Sequence, residues 1–441
     1  MNYVSQIVFA LILIAGIGYF AANIKRLVRN IRLGRDIDRT DRKAERWKIM
    51  TLVAFGQQKM VVRPIAGILH IIVYVGFIII NIEVIEIIID GLFGTHRVLS
   101  AMGILYDFLI GSFEILALLV IVAVVLFWIR RNILKLKRFF FSEMKGWPKS
   151  DANIILYFEV ILMVLFLTMN AADYSLQQLG SEHYHQAGAF PISQYLSNLI
   201  TPLGESSLII IERSAWWLHI VGILIFLNYL YYSKHLHILL AFPNTWFSDL
   251  NPQGQMNNME SVTNEVKLMM DPEADPYAMP DQDDDQETAK FGASDVSDLN
   301  WVQLMNAYSC TECGRCTSEC PASRTGKKLS PRKIMMDTRD RLEEVGRNID
   351  ANKGVFKEDG KQLLDDYITR EELWACTTCN ACVEACPVNI SPLSIIVDMR
   401  RYLVMEQSAA PMELNNMMTN IENNAAPWPY NQMDRLNWRN E

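Results

Sequence analysis

Cysteine and histidine are scarce in this sequence, with eight and seven residues respectively among 441. Eight cysteines are too few for a small scaffold held together by disulfides. The formal net charge of −8 argues against a nucleic-acid partner, because phosphate backbones attract basic surfaces. No nucleotide-binding loop, catalytic acid–base pair or activated nucleophile stands out. Apolar residues make up 51% of the chain, which excludes a wholly disordered protein.

Five apolar segments are each long enough to cross a bilayer as a helix, which takes about 20 residues. They cover approximately residues 3–24, 65–89, 104–129, 154–172 and 209–232. The second segment reads IAGILHIIVYVGFIIINIEVIEIII and hardly shows the polar stripe of a soluble amphipathic helix. A hydrophobic soluble bundle is the alternative. We predict an all-α membrane domain of five transmembrane helices over residues 1–245.

Basic residues are almost absent from two of the four connections between these segments. Residues 91–103 contain only Arg97 and residues 177–207 contain none, whereas 25–63 contain 12 and 130–149 contain seven. Because basic loops stay on the cytoplasmic side, the N-terminus is predicted to lie outside. Everything after the fifth segment is then inside. We therefore predict a protein of the bacterial inner membrane.

The chain after the membrane segments begins with an acidic stretch. Residues 251–300 contain 12 Asp or Glu and two Lys, a charge of −10, with few aromatics. Such a composition predicts a flexible, solvated linker, which we place at residues 246–300. A dedicated acidic docking site is the alternative. Residues 406–441 are assigned to a C-terminal tail.

All eight cysteines follow this stretch in two runs, CTECGRCTSECP (310–321) and CTTCNACVEACP (376–387). Each is Cys-x2-Cys-x2-Cys-x3-Cys-Pro, the spacing of bacterial ferredoxins, in which the fourth cysteine of each run ligates the other 4Fe–4S cluster. The predicted ligand sets are Cys310, Cys313, Cys316 and Cys386 for one cluster, and Cys376, Cys379, Cys382 and Cys320 for the second. Two structural zinc sites are the alternative, but these usually come as separated Cys-x2-Cys pairs.

The 55 residues between Cys320 and Cys376 include SPRKIMMDTRDRLEEVG and EDGKQLLDDYITREELWA, both with helical periodicity. We therefore predict a mainly α-helical two-cluster ferredoxin domain over residues 301–405. A reducing cytoplasm suits free thiolates that bind clusters, and it disfavours structural disulfides.

Histidines within apolar segments point to a haem, because a polar ring in a membrane is costly unless it has a role. His70 lies near the cytoplasmic end of the second segment. His219 and His237 are 18 residues apart, which is five whole turns of a continuous helix, so both face one way. On such a helix His235 points away. By depth, His70 and His237 are predicted to be the axial ligands of one inner b-type haem.

His219 lies near the outer end of the fifth segment and would serve a second, outer haem. Its partner is open, because His96, His183 and His185 all lie in outer connections and any of them can fold back. Simple exposure to solvent is the alternative for these loop histidines. A core histidine hydrogen-bonded to a neighbour is the alternative for both His70 and His219.

Two acidic residues, Glu114 and Glu159, also fall within apolar segments. Carboxyls of this kind lie on proton or quinone paths, pair with a neighbouring helix or face a lipid headgroup. The sequence does not choose between these roles.

The apolar segments, ending in WWLHIVGILIFLNYLYYSKHLHI, resemble the gamma subunit of respiratory nitrate reductase, a dihaem cytochrome b. That family has two histidines 18 apart in its last span, matched here by His219 and His237. It also has two in its second span, ten apart. His70 matches the inner one, but the outer one falls on Ile80, which cannot ligate iron. The resemblance implies one b-type haem and leaves a second open.

The cysteine-containing part is similar to the C subunit of heterodisulfide reductase and to the iron–sulfur part of anaerobic glycerol-3-phosphate dehydrogenase. The fused order resembles membrane electron-transfer-flavoprotein:menaquinone oxidoreductases, over about residues 1–245 and 300–400. Longer members carry a further CCG-type cysteine domain with the substrate-side chemistry. No cysteine follows Cys386 here, so that chemistry is expected in a partner subunit.

The sequence as a whole predicts a membrane-anchored subunit of a quinone-linked oxidoreductase. Electrons would pass between a cytoplasmic partner, either a flavoprotein or a CCG-type iron–sulfur protein, and menaquinone or another quinone in the lipid. Two 4Fe–4S clusters and haem b would carry them in respiratory electron transport. Two alternatives stay open: a redox-sensing membrane protein, and an electron-supply subunit for a non-respiratory complex.

Overall fold

The chain is almost entirely helical. The computed structural model describes residues 3–272, 290–429 and 431–440. Within these ranges the β structure is limited to two isolated bridges, Arg35–Asn300 and Leu364–Ile368. The α-helices are α1 (Val4–Ile31), α2 (Lys43–Met50), α3 (Pro64–Phe93), α4 (Ile104–Asn132), α5 (Trp147–Leu179), α6 (Ser193–Ile200), α7 (Glu205–Tyr229), α8 (His237–Trp246), α9 (Glu260–Met270), α10 (Trp301–Ser309), α11 (Arg315–Glu319), α12 (Pro321–Arg324), α13 (Pro331–Ala351), the irregular turn α14 (Leu363–Asp366), α15 (Arg370–Trp374), α16 (Ala381–Glu384), α17 (Pro392–Arg401) and α18 (Met412–Asn424).

Five of these helices are long and apolar enough to cross a membrane: α1, α3, α4, α5, and α7 with the turn that continues it to Tyr232. They match the five segments predicted from the sequence. Contacts run from α3 to α4, α5, α7, α1 and back to α3, so the helices form a closed ring. Small residues allow close approach, since a Cβ on Gly76 of α3 would lie 2.6 Å from Val120 of α4.

The fifth membrane helix does not continue to His237, which corrects the sequence-based picture of an unbroken helix. Helix α7 ends at Tyr229, and two short 3-10 turns follow. Between them Ser233 is extended, with φ −118° and ψ 148°, and its hydroxyl accepts the His235 backbone N–H at 3.1 Å. Helix α8 then begins at His237 itself. Angular positions counted from His219 therefore do not apply beyond the break.

The cysteine domain, defined here as residues 290–406, packs directly on one end of the helical ring. Arg332 is fully buried and donates to Glu143 Oε1 at 2.8 Å and to the Arg138 carbonyl at 2.7 Å. Asn244 of α8 donates to the Val388 carbonyl at 2.6 Å. Apolar side chains from both parts form one continuous core. The docking end is the one that carries the basic connections.

Two sequence-based boundaries look different in the structure. Residues 273–289 of the predicted linker lie outside the described residues. Residues 290–300, assigned to the same linker, contribute Ala293, Val296 and Leu299 to the buried core. Of the two segments between the cysteine runs, the first forms α13, but residues 358–362 of the second are not helical.

We expect the buried pair between Arg332 and Glu143 to hold the cysteine domain on the membrane domain. Arg332→Leu leaves a buried carboxylate uncompensated, which typically costs about 3–5 kcal/mol. Chemical unfolding of the protein in detergent, followed by cluster absorbance, measures the loss. The matched control is Lys328→Ala, which breaks an exposed pair with Glu371 and should cost less than about 1 kcal/mol. Equal losses in the two variants would contradict the assignment.

Candidate functional site

The first cysteine run gathers around a cysteine from the second run. Burial and the neighbouring Cys313 and Cys386 all raise the pKa of the Cys310 thiol. Burial raises the pKa of the Cys316 thiol as well, and the neighbouring Cys310, Cys313 and Cys386 add to this shift. Cys386 lies directly after α16, 66 residues beyond its counterpart Cys320. This is the grouping that ligation across the two runs requires, with three thiolates on one loop and a fourth from the other run.

The second group has the reciprocal composition. Cys376 and Cys382 both interact with Cys320, the last cysteine of the first run, and with Cys379. Among the described residues no set of three or more His, Cys, Asp or Glu is close enough to hold a single metal ion.

The two loops repeat one backbone conformation. Glu312 and Gly314 in the first run have φ of +53° and +71°, and Thr378 and Asn380 at the equivalent positions have +56° and +61°. Gly and Asn are the residues that adopt left-handed angles most readily, so the loop can turn its three cysteines inward. The runs differ at their ends. Pro321 opens helix α12, whereas the proline after Cys386 begins only a turn.

The cysteine groups sit in a low-dielectric environment. Burial raises the pKa of Cys310 to about 12 and that of Cys386 to about 11, because it disfavours the thiolate. Positive charge from bound iron is what stabilises coordinating thiolates in such a place. Backbone N–H groups of Ile390 and Thr378 donate to the sulfurs of Cys386 and Cys376 at 3.3 and 3.4 Å. Such bonds tune cluster potentials.

The two groups differ in exposure. In the first group Cys310 and Cys386 are buried, and its loop faces the membrane domain. In the second group Cys379 is exposed to solvent. The second group is therefore more accessible from solution than the first.

An apolar cavity of about 410 Å³ lies between the helical ring and the cysteine domain. Three histidines line it from the side of the helical ring: His70, His235 and His237. Cys313 and Arg315 line it from the side of the cysteine domain. Its volume falls within the range of about 300–1,000 Å³ found for cofactor and ligand sites. The cavity therefore joins the histidines and the first cysteine group in one space.

His70 and His237, which the sequence analysis pairs by depth along the helices, both line this cavity and lie close together. Their ring centroids are 6.4 Å apart. Two imidazoles on opposite sides of one metal ion have ring centres about 6 Å apart, because each metal–nitrogen bond is about 2 Å. Nδ1 of His237 bonds the Lys234 carbonyl at 3.1 Å, which leaves Nε2 free to ligate. Nδ1 of His70 is buried without a hydrogen-bond partner.

His235 joins the same cavity, contrary to the sequence-based expectation that it points away. Its ring centroid is 5.4 Å from that of His237, and its Nε2 is 3.8 Å from Glu159 Oε1. The helix break before it turns the ring inward. Burial lowers the pKa of His235 to about 3, and the nearby histidines add to this, so the ring is neutral.

His219 has a different environment. It is buried in α7, 6.1 Å from the ring of Phe166, and its Nδ1 has no hydrogen-bond partner. His183 and His185 are exposed in the loop after α5. His96 lies against Tyr184 at 5.0 Å, with its Nε2 3.5 Å from Asp173. Two of these loop histidines are thus exposed to solvent, and the third packs against Tyr184 and lies near Asp173.

The half of the bundle that lies away from the cysteine domain contains a buried polar network that the sequence analysis missed. Arg97 donates to Asp173, to the Tyr106 hydroxyl at 3.0 Å and to Asn170 Oδ1 at 2.9 Å. Asn170 in turn donates to Glu114 Oε1 at 3.2 Å. Glu114 therefore pairs with a neighbouring helix. The available signal was Arg97, the single basic residue in its connection.

A second missed cluster borders the first cysteine group. Glu312, next to Cys313, is buried and pairs with Lys234 and, at 2.9 Å, with Arg339. Burial alone would raise the pKa of Glu312, but the two cations hold it below its usual range. A carboxylate kept charged beside a cluster site is one of the means by which a protein sets its potential.

Comparison with known proteins agrees with this geometry. Residues 309–390 match the family described as the 4Fe-4S dicluster domain. No solved structure matches the chain. This segment contains all eight cysteines, so the prediction of iron–sulfur clusters is confirmed.

Relatives extend over the whole chain. A probable iron-sulfur-binding oxidoreductase, FadF, of Bacillus subtilis is 29% identical over 99% of this chain and 61% of its own length. An EtfAB:quinone oxidoreductase of Syntrophomonas wolfei is 26% identical over 92% of this chain and 55% of its own length. A probable membrane-anchored ferredoxin of Chromohalobacter salexigens is 33% identical over 35% of this chain and 25% of its own length.

This chain thus spans little more than half the length of the first two relatives. It is an iron–sulfur electron-transfer protein with membrane-length helices, similar to oxidoreductases of these kinds. The resemblance of the helical ring to a cytochrome b stays a prediction.

Proposed function

We propose that this chain carries electrons between a cytoplasmic redox partner and the quinone pool, with two 4Fe–4S clusters and one b-type haem as carriers. The cavity at the domain junction is the observation that carries the proposal. It places two opposed imidazoles and a cysteine of the first cluster group around one apolar space. An electron carrier bound there would be in direct reach of both domains.

The residues around this cavity fit a haem held by His70 and His237. The separation of their rings suits axial ligation of one iron, and the walls are mostly apolar. Arg131 and Lys234 also line the cavity and would supply cations for the propionates of a bound haem. When bound, haem supplies a one-electron couple. The protein orients the axial rings, excludes water and adjusts the local charge.

The residues around His219 do not fit a second haem. Ile80, at the position where the related cytochromes have a histidine, is an apolar member of the outer core together with Phe166. The exposed His183 and His185 lie outside that core. We therefore propose one haem, at the inner site.

The difference in solvent exposure between the two cysteine groups suggests the order in which the two clusters carry electrons. The group that contains the exposed Cys379 faces solution, and the group that contains Cys313 faces the histidine cavity. We propose that the partner exchanges electrons with the cluster of the Cys379 group. The membrane domain exchanges electrons with the cluster of the Cys313 group. We propose a flavoprotein or a CCG-type iron–sulfur protein as this partner, and the quinone-linked relative has EtfAB in its name.

The proposed location is the bacterial inner membrane, with the cysteine domain in the cytoplasm. The cysteine domain docks at the end of the bundle where Arg63, Arg130 and Arg138 lie, and basic connections stay inside. Quinone and lipid are then the membrane-side partners.

Reduction of the reconstituted protein by a menaquinol analogue tests the function. We expect the quinol to reduce the haem in vesicles, so that a b-type haem band appears in the reduced-minus-oxidised spectrum. The iron–sulfur absorbance should bleach at the same time. A protein that carries clusters but shows no b-type band would refute the haem. A haem that dithionite reduces and quinol does not would refute the link to quinone.

A further inference from the structure

A second concave site opens beside the histidine cavity. It is a groove of about 510 Å³ where α3 begins and α4 ends, closed below by the short 3-10 turn Lys137–Phe139. Four of the side chains that line it are cationic: Arg63, Arg130, Lys137 and Arg138. The other lining residues are apolar, and no carboxylate is among them. Charge and shape thus favour an anion with apolar substituents.

The groove lies at the boundary of the membrane-spanning region. Pro64 is the first residue of one membrane helix, and the other membrane helix ends at Asn132. Val62 and Ile65 at its rim are 76% and 65% exposed, and Ile133 beyond α4 is 61% exposed. Apolar side chains left exposed at this depth are suited to contact with acyl chains.

The cations of the groove are mostly uncompensated within the described residues. Arg63 is held by Glu319 Oε1 at 2.7 Å and by Ser318 Oγ at 2.9 Å, both in the cysteine domain. Arg130, Lys137 and Arg138 form no ion pair with another described residue, and Nε of Arg138 is buried without a partner. Like charges this close repel one another, so a bound anion would stabilise the arrangement.

We propose that this groove binds the headgroup of an anionic phospholipid. The phosphate oxygens lie among the four cations, and the acyl chains run along the exposed apolar rim. Basic pockets between membrane helices on the cytoplasmic side are the typical place for such headgroups. Arg63 reaches the cysteine domain, and Arg130 and Arg138 also line the histidine cavity. The lipid therefore sits where the two domains meet.

Lipid retention by the full-length, cluster-loaded protein tests this site. Native mass spectrometry in detergent compares phosphatidylglycerol with phosphatidylcholine of the same acyl chains, and inorganic phosphate alone as a third ligand. We expect selective retention of phosphatidylglycerol. Arg130→Gln and Lys137→Gln should each weaken it about fivefold, and the double variant about 30-fold. Lys137→Arg keeps the charge and should bind like wild type.

The matched control is Lys135→Gln. Lys135 is exposed in the same connection, two residues from Lys137, but does not line the groove. Unchanged iron–sulfur absorbance shows that each variant is folded. Equal retention of the two lipids, or an equal loss in Lys135→Gln and Lys137→Gln, would overturn the proposal. Displacement of phosphatidylglycerol by an equal concentration of inorganic phosphate would do so too, because the site would then take a free anion.

Discussion

Replacing either His70 or His237 with alanine is expected to remove the same b-type haem from the purified protein. The two rings face each other at a separation that suits one iron between them. Even mutations of outer-shell partners lower metal affinity about 10–100-fold, so loss of an axial ligand should lower haem content at least about tenfold. The pyridine haemochrome assay measures it, with iron–sulfur absorbance as the internal reference.

Three control variants make this result specific. His185→Ala changes an exposed loop residue, and His219→Ala changes a residue packed on Phe166; both should keep the haem. His235→Ala tests the third ring in the cavity and should keep the haem but shift its spectrum or potential. Loss of haem in His219→Ala, or loss of two distinct haems in the His70 and His237 variants, would refute a single inner site.

Cys386→Ser should damage the cluster of the first run and spare the cluster of its own run. Cys386 belongs to the group around Cys310, Cys313 and Cys316, and serine is a poor ligand for iron. The iron content should fall by about half, and one of two reduced-cluster EPR signals should disappear.

The reciprocal variant, Cys320→Ser, identifies which signal belongs to which site. It should remove the other cluster, ligated by Cys376, Cys379 and Cys382. Because Cys379 is exposed, this second cluster should also be the one that a soluble oxidant reaches faster. If both variants lost the same EPR signal, ligation across the runs would be wrong.

Much of the fold follows from short-range sequence patterns. Five apolar segments predicted the five membrane-length helices, because helix formation across a bilayer depends on length and apolarity alone. The cysteine spacing predicted a two-cluster domain, which the family match over residues 309–390 confirms. Both signals are local, so neither needs knowledge of what packs against what.

The position of His235 shows where local reasoning fails. A continuous helix would point it away from His237, but the backbone N–H of Lys234 donates to Asp151 Oδ2 at 3.2 Å instead. The Lys234 ammonium also donates to the Pro148 carbonyl at 2.6 Å. Partners on α5, far away in sequence, thus compensate the backbone groups freed by the break. The helical periodicity of the fifth apolar segment does not reveal these partners.

The two scarce residue types of this sequence are also those that define the site. Eight cysteines and seven histidines in 441 residues, by their spacing and depth, predicted the cluster ligands and the pairing of His70 with His237. Only the tertiary structure decided that one cavity joins those histidines to Cys313, that His235 enters it and that the outer half is filled by the Arg97 network. The physical reason is that spacing acts along the chain, whereas a cavity and a buried ion pair exist only between segments brought together by packing.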